Sequence, residues 1–480
     1  MRRYFGGRSA LPMLWGVFAI ATAVQAQFRP QEPTVAYPQQ LLADLAALRD
    51  AALSSDYAYR QVSHLTENIG PRMGGSPQAE AAAQYVLEQM RQAGLDAHLE
   101  EVRMPRWVRG PETGELVQYP GQVPGTTQKI VLTTLSGSSA TPPSGITGEV
   151  LVVSSMDEFK ALPRDRVAGK IVLFNVPFDK EKAAAGYGGE AYGEAVLYRA
   201  VGAKTAAEAG AAASLIRSVG GADYRLPHTG YSVPAGIPDA AVSAEDAELI
   251  AHLASQGTVR LHLTLTPQIL PEVVAHNVIA DLKGTEHPEE IVVVSGHLDS
   301  WDLGTGAIDD GAGVAVAMSA AHLIQQLHLH PKRTLRVIAW MDEENGGRGH
   351  DAYAKTHEAE LANHVAALES DLGAGHPMGY VLKAKPEVIP LLRPMLEILR
   401  STGCTLLRPS DYSPGSDISP LVKAGVPGFA PLQDSRFYFN YHHTAADTLD
   451  KIVPRELQEN AAAMVVLGYM LTNLPQKLPR

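Results

Sequence analysis

The chain has 480 residues, too many for one ordinary hydrophobic core, so its size alone asks for two or three domains. A formal net charge of −12 with no dense Lys/Arg run excludes a nucleic-acid surface or a surface for anionic membranes, and fits an acidic enzyme of small substrates. Cys404 is the only cysteine, which excludes intramolecular disulfides and any zinc site with two or more thiolates, so a metal here must be held by His and carboxylates.

In chain order, Arg2, Arg3 and Arg8 precede an apolar stretch from Leu11 to Val24, and the pattern Val24-Gln25-Ala26 places cleavage of a secretory signal before Gln27. The apolar run is shorter than the ~20 residues a membrane span needs, and no stop-transfer charges follow it. Residues 1–26 are therefore expected to be a signal peptide, and the mature protein to be periplasmic or secreted with no stable membrane insertion. Ser76 as N-cap and Pro77 at the first helical position predict a helix that ends at Gly94, with Ala82, Val86, Met90 and Ala93 on one face.

From about Ile130 to Gln268 the texture changes. Strand-like pieces such as Gly148 to Val153 and Lys170 to Val176 alternate with Gly/Pro-rich turns, and an Ala-rich helix is predicted near Ala206 to Ile216. This predicts a smaller β-rich domain at 130–268, inserted into an α/β domain whose parts are 27–129 and 269–480. The α/β texture resumes at Ala275 to Ala280. Ile291 to Val294 and Leu335 to Trp340 read as strands buried on both faces, and Val314, Ala317, Ala321 and Ile324 repeat at helical spacing between them. Strand, helix and strand in that order imply a right-handed parallel crossover. A third run, Val365 to Leu368, and a helix from about Arg455 to Leu474 complete an α/β sandwich.

The chemistry-bearing residues follow these strands. His297-Leu298-Asp299 lies just past the first, where ligands gather in open parallel sheets. A lone His-x-Asp is weak evidence. Asp309 and Asp310 sit in the Gly-rich turn Gly306 to Gly313, where a helix N-terminal preference for acids explains them equally well. Asp342-Glu343-Glu344 and Glu369-Ser370-Asp371 follow the other two strands, and each alone reads as a solvated loop. Together, three strand ends deliver His297, the pair Glu343 and Glu344, and Asp371 to one sheet edge, where so many carboxylates would repel each other unless divalent cations compensated them. Tyr441 to Thr448, which holds His442 and His443, adds imidazole from a loop, with Asp447 placed to orient it. His, Asp and Glu without Cys form the ligand set of a hydrolytic zinc site.

The string His297-Leu298-Asp299, Asp309-Asp310-Gly311-Ala312-Gly313, Glu343-Glu344, Asp371 and His443-Thr444 through Asp447-Thr448 resembles the co-catalytic zinc peptidases of family M28, over nearly all of the mature chain. Gly296 to Asp302 and Ala213 to Val219 resemble one subgroup of that family. The resemblance implies a mixed-sheet α/β zinc-exopeptidase sandwich of the phosphorylase/hydrolase type, with a protease-associated domain as the insert. It implies two Zn2+ per chain bridged by Asp309, one completed by His297 and Asp371 and the other by Glu344 and His443. It also implies Glu343 as the general base that takes a proton from the metal-bridging water and returns it to the leaving amine, Asp299 as the acid that orients His297, a cis peptide after Asp309, and a homodimer.

Spacing alone does not say which of Glu343 and Glu344 is the ligand; that comes from the resemblance, as does the choice of His443 over His442. For His442, Ser416 and Asp417, ordinary loop polarity serves as well as proximity to substrate. The subgroup implies short peptides or dipeptides as substrates, whereas the wider family implies aminopeptidase action on longer ones. A catalytically silent binding ectodomain would have lost ligands that are all present here. Glutaminyl-cyclase-like acyl transfer is the work of single-zinc relatives that lack the insert.

Overall fold

The computed structural model describes residues 35–480, so the signal peptide expected in residues 1–26 lies outside the described residues. The strands in chain order are β1 (Asp96–Val108), β2 (Glu112–Gln118), β3 (Gln128–Ile130), β4 (Leu132–Thr134), β5 (Ile146–Val153), β6 (Ile171–Phe174), β7 (Ala213–Arg217), β8 (Asp239–Val242), β9 (Arg260–Leu265), β10 (Gln268–Leu282), β11 (His287–His297), β12 (Arg333–Trp340), β13 (His364–Glu369), β14 (Pro377–Lys383), β15 (Leu406–Pro409) and β16 (Gly428–Gln433). The principal helices are α1 (Gln39–Ser54), α2 (Pro77–Gln92), α3 (Gly188–Glu208), α4 (Ala244–Gln256), α5 (Ala312–Gln326) and α6 (Pro454–Asn473).

One eight-stranded sheet has the order β1-β10-β12-β11-β13-β16-β14-β15. The β-branched run Ile291 to Val294 lies at its centre, in β11, which is parallel to both neighbours. Gly296 stands opposite Ala339 and Ser295 opposite Glu369, so the carboxyl ends of β12, β11 and β13 open at one edge, as the sequence led us to expect. Both faces are covered. Val292, Val294, Leu335 and Val337 pack with α1, α5 and α6, while Ile291, Val293, Ile338 and Trp340 form a second cluster with Tyr353 and Leu421.

The second sheet has the order β3-β2-β9-β5-β6-β7-β8-β4. Its strands β5 to β8 are parallel, and period-two alternation divides their side chains. Val172, Phe174 and Ile216 share a cluster with Ala191 and Ala195 of α3, whereas Ile171, Leu173 and Leu215 share one with Ala247 and Ile250 of α4.

Two expectations need correction. The Ala-rich stretch near Ala206 to Ile216 is not one helix: α3 ends at Glu208, Gly210 takes φ +87°, and Ala213–Arg217 pairs with β6 as a strand. Sheet pairing overrides alanine's helix propensity there. The second sheet also begins at Glu112 rather than near Ile130, and it carries the long helix α3, so this part of the chain is mixed α/β rather than β-rich. Elsewhere Ser76 caps α2, accepting from Ala79 N–H at 3.1 Å, as expected.

Arg72 ties the N-terminal segment to the central sheet. It is fully buried, at 0% exposure, and burial pulls its guanidinium down to about 10. Its nitrogens donate to the carbonyls of Leu298, Thr305 and Gly306 at 2.8 Å each, and more weakly to Leu65 and Gly70. Arg72→Met should leave several of these carbonyls buried and unsatisfied and lower the unfolding free energy by about 3 kcal/mol or more, read as a lower urea midpoint at unchanged slope.

Candidate metal centre

Three strand ends and two loops bring the expected residues together. His297 ends β11 opposite Trp340, the end of β12; Glu343 and Glu344 follow β12, and Asp371 follows β13. Asp309 lies in the turn Ala307–Gly311 that feeds α5. The approach of β11 to this helix depends on glycine, because a Cβ at Gly296 would lie 2.6 Å from both Asp310 Oδ2 and the Gly313 backbone. In that space the Asp310 carboxylate accepts the N–H groups of His297 and Gly313, each at 3.0 Å. The Asp309–Asp310 peptide is cis, as the resemblance implied. His443 has φ +57°, an uncommon conformation for a residue with a side chain.

Asp309 divides its two oxygens. His297 Nε2 stands 3.2 Å from Asp309 Oδ1 and 3.2 Å from Asp371 Oδ1. His443 Nε2 stands 3.2 Å from Asp309 Oδ2 and 3.0 Å from Glu344 Oε2. The result is two triads, His297–Asp309–Asp371 and Asp309–Glu344–His443, with the donor atoms of each within 4.8 Å of one another. A buried Glu344 Oε1 that meets no partner adds an unused donor.

Burial pushes the Glu344 carboxyl up to about 8, with repulsion from Asp309 adding to it and His443 opposing it. Burial likewise lifts Asp371 up to about 6 against the attraction of His297. At Asp309 the burial effect is outweighed by His442, His297 and His443, which hold it well below the usual carboxylate range. Burial disfavours charge on His297 and His443, yet Asp371 and Glu344 respectively keep each imidazole well above its ordinary value. A buried set of acids and imidazoles in this conflict is relieved by divalent cations, and the donor set, the shared carboxylate and the orphan oxygen fit two of them. Among the described residues, His228, His442 and His443 also bring ring nitrogens within 4.8 Å of one another, but His228 Nε2 and His442 Nδ1 face each other at 3.0 Å. His287, Glu289 and Glu290 form a more exposed group.

The neighbouring acids hold the site in ways the sequence did not indicate. Asp299 meets His297 Nδ1 with its backbone carbonyl at 3.0 Å, its carboxylate being 3.9 Å away; that carboxylate instead accepts the N–H groups of Glu343 and Glu344, at 3.2 and 3.4 Å. Asp447 does not orient His443. Its Oδ1 accepts the N–H groups of Ala307 and Ile308, both at 2.8 Å, and so braces the turn that carries Asp309. His443 Nδ1 faces the Thr229 carbonyl at 3.2 Å. Ser416 Oγ donates to Glu343 Oε1 at 2.7 Å, Asp417 Oδ1 meets His350 Nδ1 at 2.9 Å, and His442 Nε2 lies 3.5 Å from Asp309 Oδ2.

Sequence reasoning missed Tyr192, Arg199 and Tyr231, which line a cavity of about 420 Å³ together with Asp309, Glu343 and Glu344. A signal existed: Arg199 falls at four-residue spacing on the buried alanine face of α3, after Ala191 and Ala195.

The sequence profile of Peptidase family M28 matches residues 277–468. Carboxypeptidase Q of Homo sapiens is 36% identical over 430 residues, covering 88% of this chain and 87% of that protein. The crystal structure of a Peptidase M28 precursor from Shewanella amazonensis SB2B superposes with a TM-score of 0.86 at 35% identity, covering 92% of this chain and 98% of that one. A zinc aminopeptidase from Bacillus subtilis, at 23% identity, shares the fold with a TM-score of 0.61 over 86% of this chain and 94% of its own.

If Asp447 acts by bracing the Asp309 turn, Asp447→Ala should weaken metal binding by ~10–100-fold while leaving every donor in place. Competition with a chelator checks this, and an unchanged affinity would count against the brace.

Proposed function

The chain belongs to peptidase family M28, and from that premise we propose that it is an exported, dinuclear zinc exopeptidase that hydrolyses short peptides, dipeptides among them. The observation that carries this reading is the pair of donor triads sharing Asp309, with one further carboxylate, Glu343, beside them and outside both. In this reading His297, Asp309 and Asp371 hold one ion, and Asp309, Glu344 and His443 the other. Nitrogen and oxygen donors without sulfur suit zinc, the metal named for the Bacillus subtilis neighbour. Bound there, zinc supplies Lewis-acid stabilisation of the oxyanion that develops on the scissile carbonyl.

The chain's own residues do the rest. Ser416 occupies Glu343 Oε1 and the Asp299 carboxylate fixes the Glu343 backbone, which leaves Oε2 to take a proton from the attacking water. As the carbon–oxygen bond forms and the carbon–nitrogen bond breaks, the same oxygen returns the proton to the departing amine. A cavity of about 420 Å³ beside the triads supports a substrate of dipeptide size. An adjoining space of about 730 Å³, which shares Gly189, Asp371 and Leu372 with it, favours a second reading, an aminopeptidase of longer peptides. The part of the chain carrying the second sheet is read as a protease-associated domain, and the assembly as a homodimer in the periplasm or outside the cell.

The two glutamates separate under substitution. Glu343→Gln should keep two zinc ions per chain, measured by atomic absorption, while kcat falls ~10²–10⁴-fold. Glu344→Gln should lose zinc. The reverse pattern of metal content would exchange the two roles, and full activity in both would remove the site.

A further inference from the structure

The cavity beside the triads is walled by the carboxylates of Asp309, Glu343, Glu344 and Asp371, and its one guanidinium is that of Arg199. Arg199 is only 8% exposed and is fixed from three sides. Its Nε donates to the Tyr231 carbonyl at 3.2 Å, and its Nη1 donates to Tyr192 Oη at 2.7 Å and to the Thr229 carbonyl at 3.3 Å. Gly230 makes room for it: a Cβ there would overlap the guanidinium, 2.7 Å from Nε.

What Arg199 lacks is an anion. Among the described residues no carboxylate lies within 4 Å of its guanidinium, and no acceptor meets Nη2. The buried arginines Arg333 and Arg336 are paired with Glu290 and Asp281, while Arg72 has carbonyl acceptors on all three nitrogens. A buried cation without a counter-charge is costly to keep, and the unpartnered Nη2 is left to donate a charge-assisted hydrogen bond to a carboxylate. Its position fits a substrate end. Nη1 lies 3.2 Å from His443 Nδ1, while Nε2 of the same ring faces Asp309 and Glu344, so Arg199 stands one imidazole beyond the triad. In a peptide the carboxylate of the last residue lies about one residue length, roughly 3.8 Å, past the carbonyl of the residue before it.

We propose that Arg199 anchors the free α-carboxylate of the residue leaving from the scissile bond, so that the preferred substrate is a dipeptide, or a peptide losing its last residue. This rests on the reading of the site as a peptidase. Glu343, the one lining carboxylate outside both triads, repels that group, and Arg199 therefore sets the direction in which the peptide lies.

The test compares the dipeptide Leu-Leu with its C-terminal amide on the zinc-loaded full chain. The native protein should prefer the acid by ~10–100-fold in kcat/KM, the worth of a hydrogen-bonded charge pair. Arg199→Met should bring that ratio to within about threefold, and Arg199→Lys should restore part of it. A merely structural role beside His443 would lower both substrates together and keep the ratio, which overturns the proposal. Equal native rates on acid and amide remove the anchor alone, whereas cleavage of neither removes the peptidase reading and the anchor with it. Calorimetric titration of the native chain with leucine and with leucinamide gives a second measurement that does not depend on the variants: binding of leucine alone supports the anchor, and equal binding of both overturns it.

Discussion

A single buried carboxylate, Asp309, has to present one oxygen to His297 and the other to His443, two imidazoles delivered by separate parts of the chain. Much of the surrounding structure is explained by that demand. The turn carrying Asp309 is braced from one side by Asp447 on the N–H groups of Ala307 and Ile308 and from another by Arg72 on the carbonyls of Thr305 and Gly306. Asp310, the next residue, fixes the backbone of His297 and the start of α5. Each brace commits a buried ionisable side chain to backbone groups rather than to the donors themselves. The donors are thus positioned without losing the lone pairs that a cation would use.

The second sheet is part of the same construction. Thr229 and Arg199, both from that half of the chain, meet His443 at its Nδ1 edge, and Tyr192 and His228 pack around the His442 ring. Arg109 reinforces the junction: its Nε donates to Asp302 Oδ2 at 2.9 Å and its Nη2 to Thr229 Oγ1 at 3.1 Å. The last imidazole is steadied by the module that carries the second sheet, and Gly189, Tyr192, Arg199 and Tyr231 of that module help to set the shape of the cavity. In this chain the module also supplies the cavity's positive charge, through Arg199.

The central sheet was legible in the sequence because its strands are buried on both faces and read as unbroken β-branched runs, as in Ile291 to Val294. His297, Glu344 and Asp371 were legible because each comes at or soon after the end of such a run, whereas Asp309 and His443 lie in loops and were reached through the family motif. What could not be read were contacts between distant residues. Asp447 stands four residues from His443, and sequence proximity suggested that it served that imidazole, yet the loop turns its carboxylate to Ala307 and Ile308. The stretch from Ala206 to Ile216 is rich in a helix former, and only pairing with β6 makes its second half a strand. Arg199 was visible as a charge on an alanine face, but nothing local told that the face looked toward residues more than a hundred positions away.

The difference between Glu343 and Glu344 is set by the same kind of indirect hold. The Asp299 carboxylate takes the two consecutive N–H groups, one on each oxygen, which locks the backbone and sends the two side chains apart. Glu344 turns into the protein, where it meets His443 and keeps one oxygen without a partner. Glu343 remains half-buried, with Ser416 on one oxygen and the other toward the cavity. A metal donor gains from desolvation, since it makes the carboxylate a stronger partner for a cation, whereas a group that must accept and release a proton in each turnover has to reach water and substrate. Burial therefore distinguishes two neighbours that spacing in the sequence could not, and it is what favours the proposed roles, Glu344 as ligand and Glu343 as base.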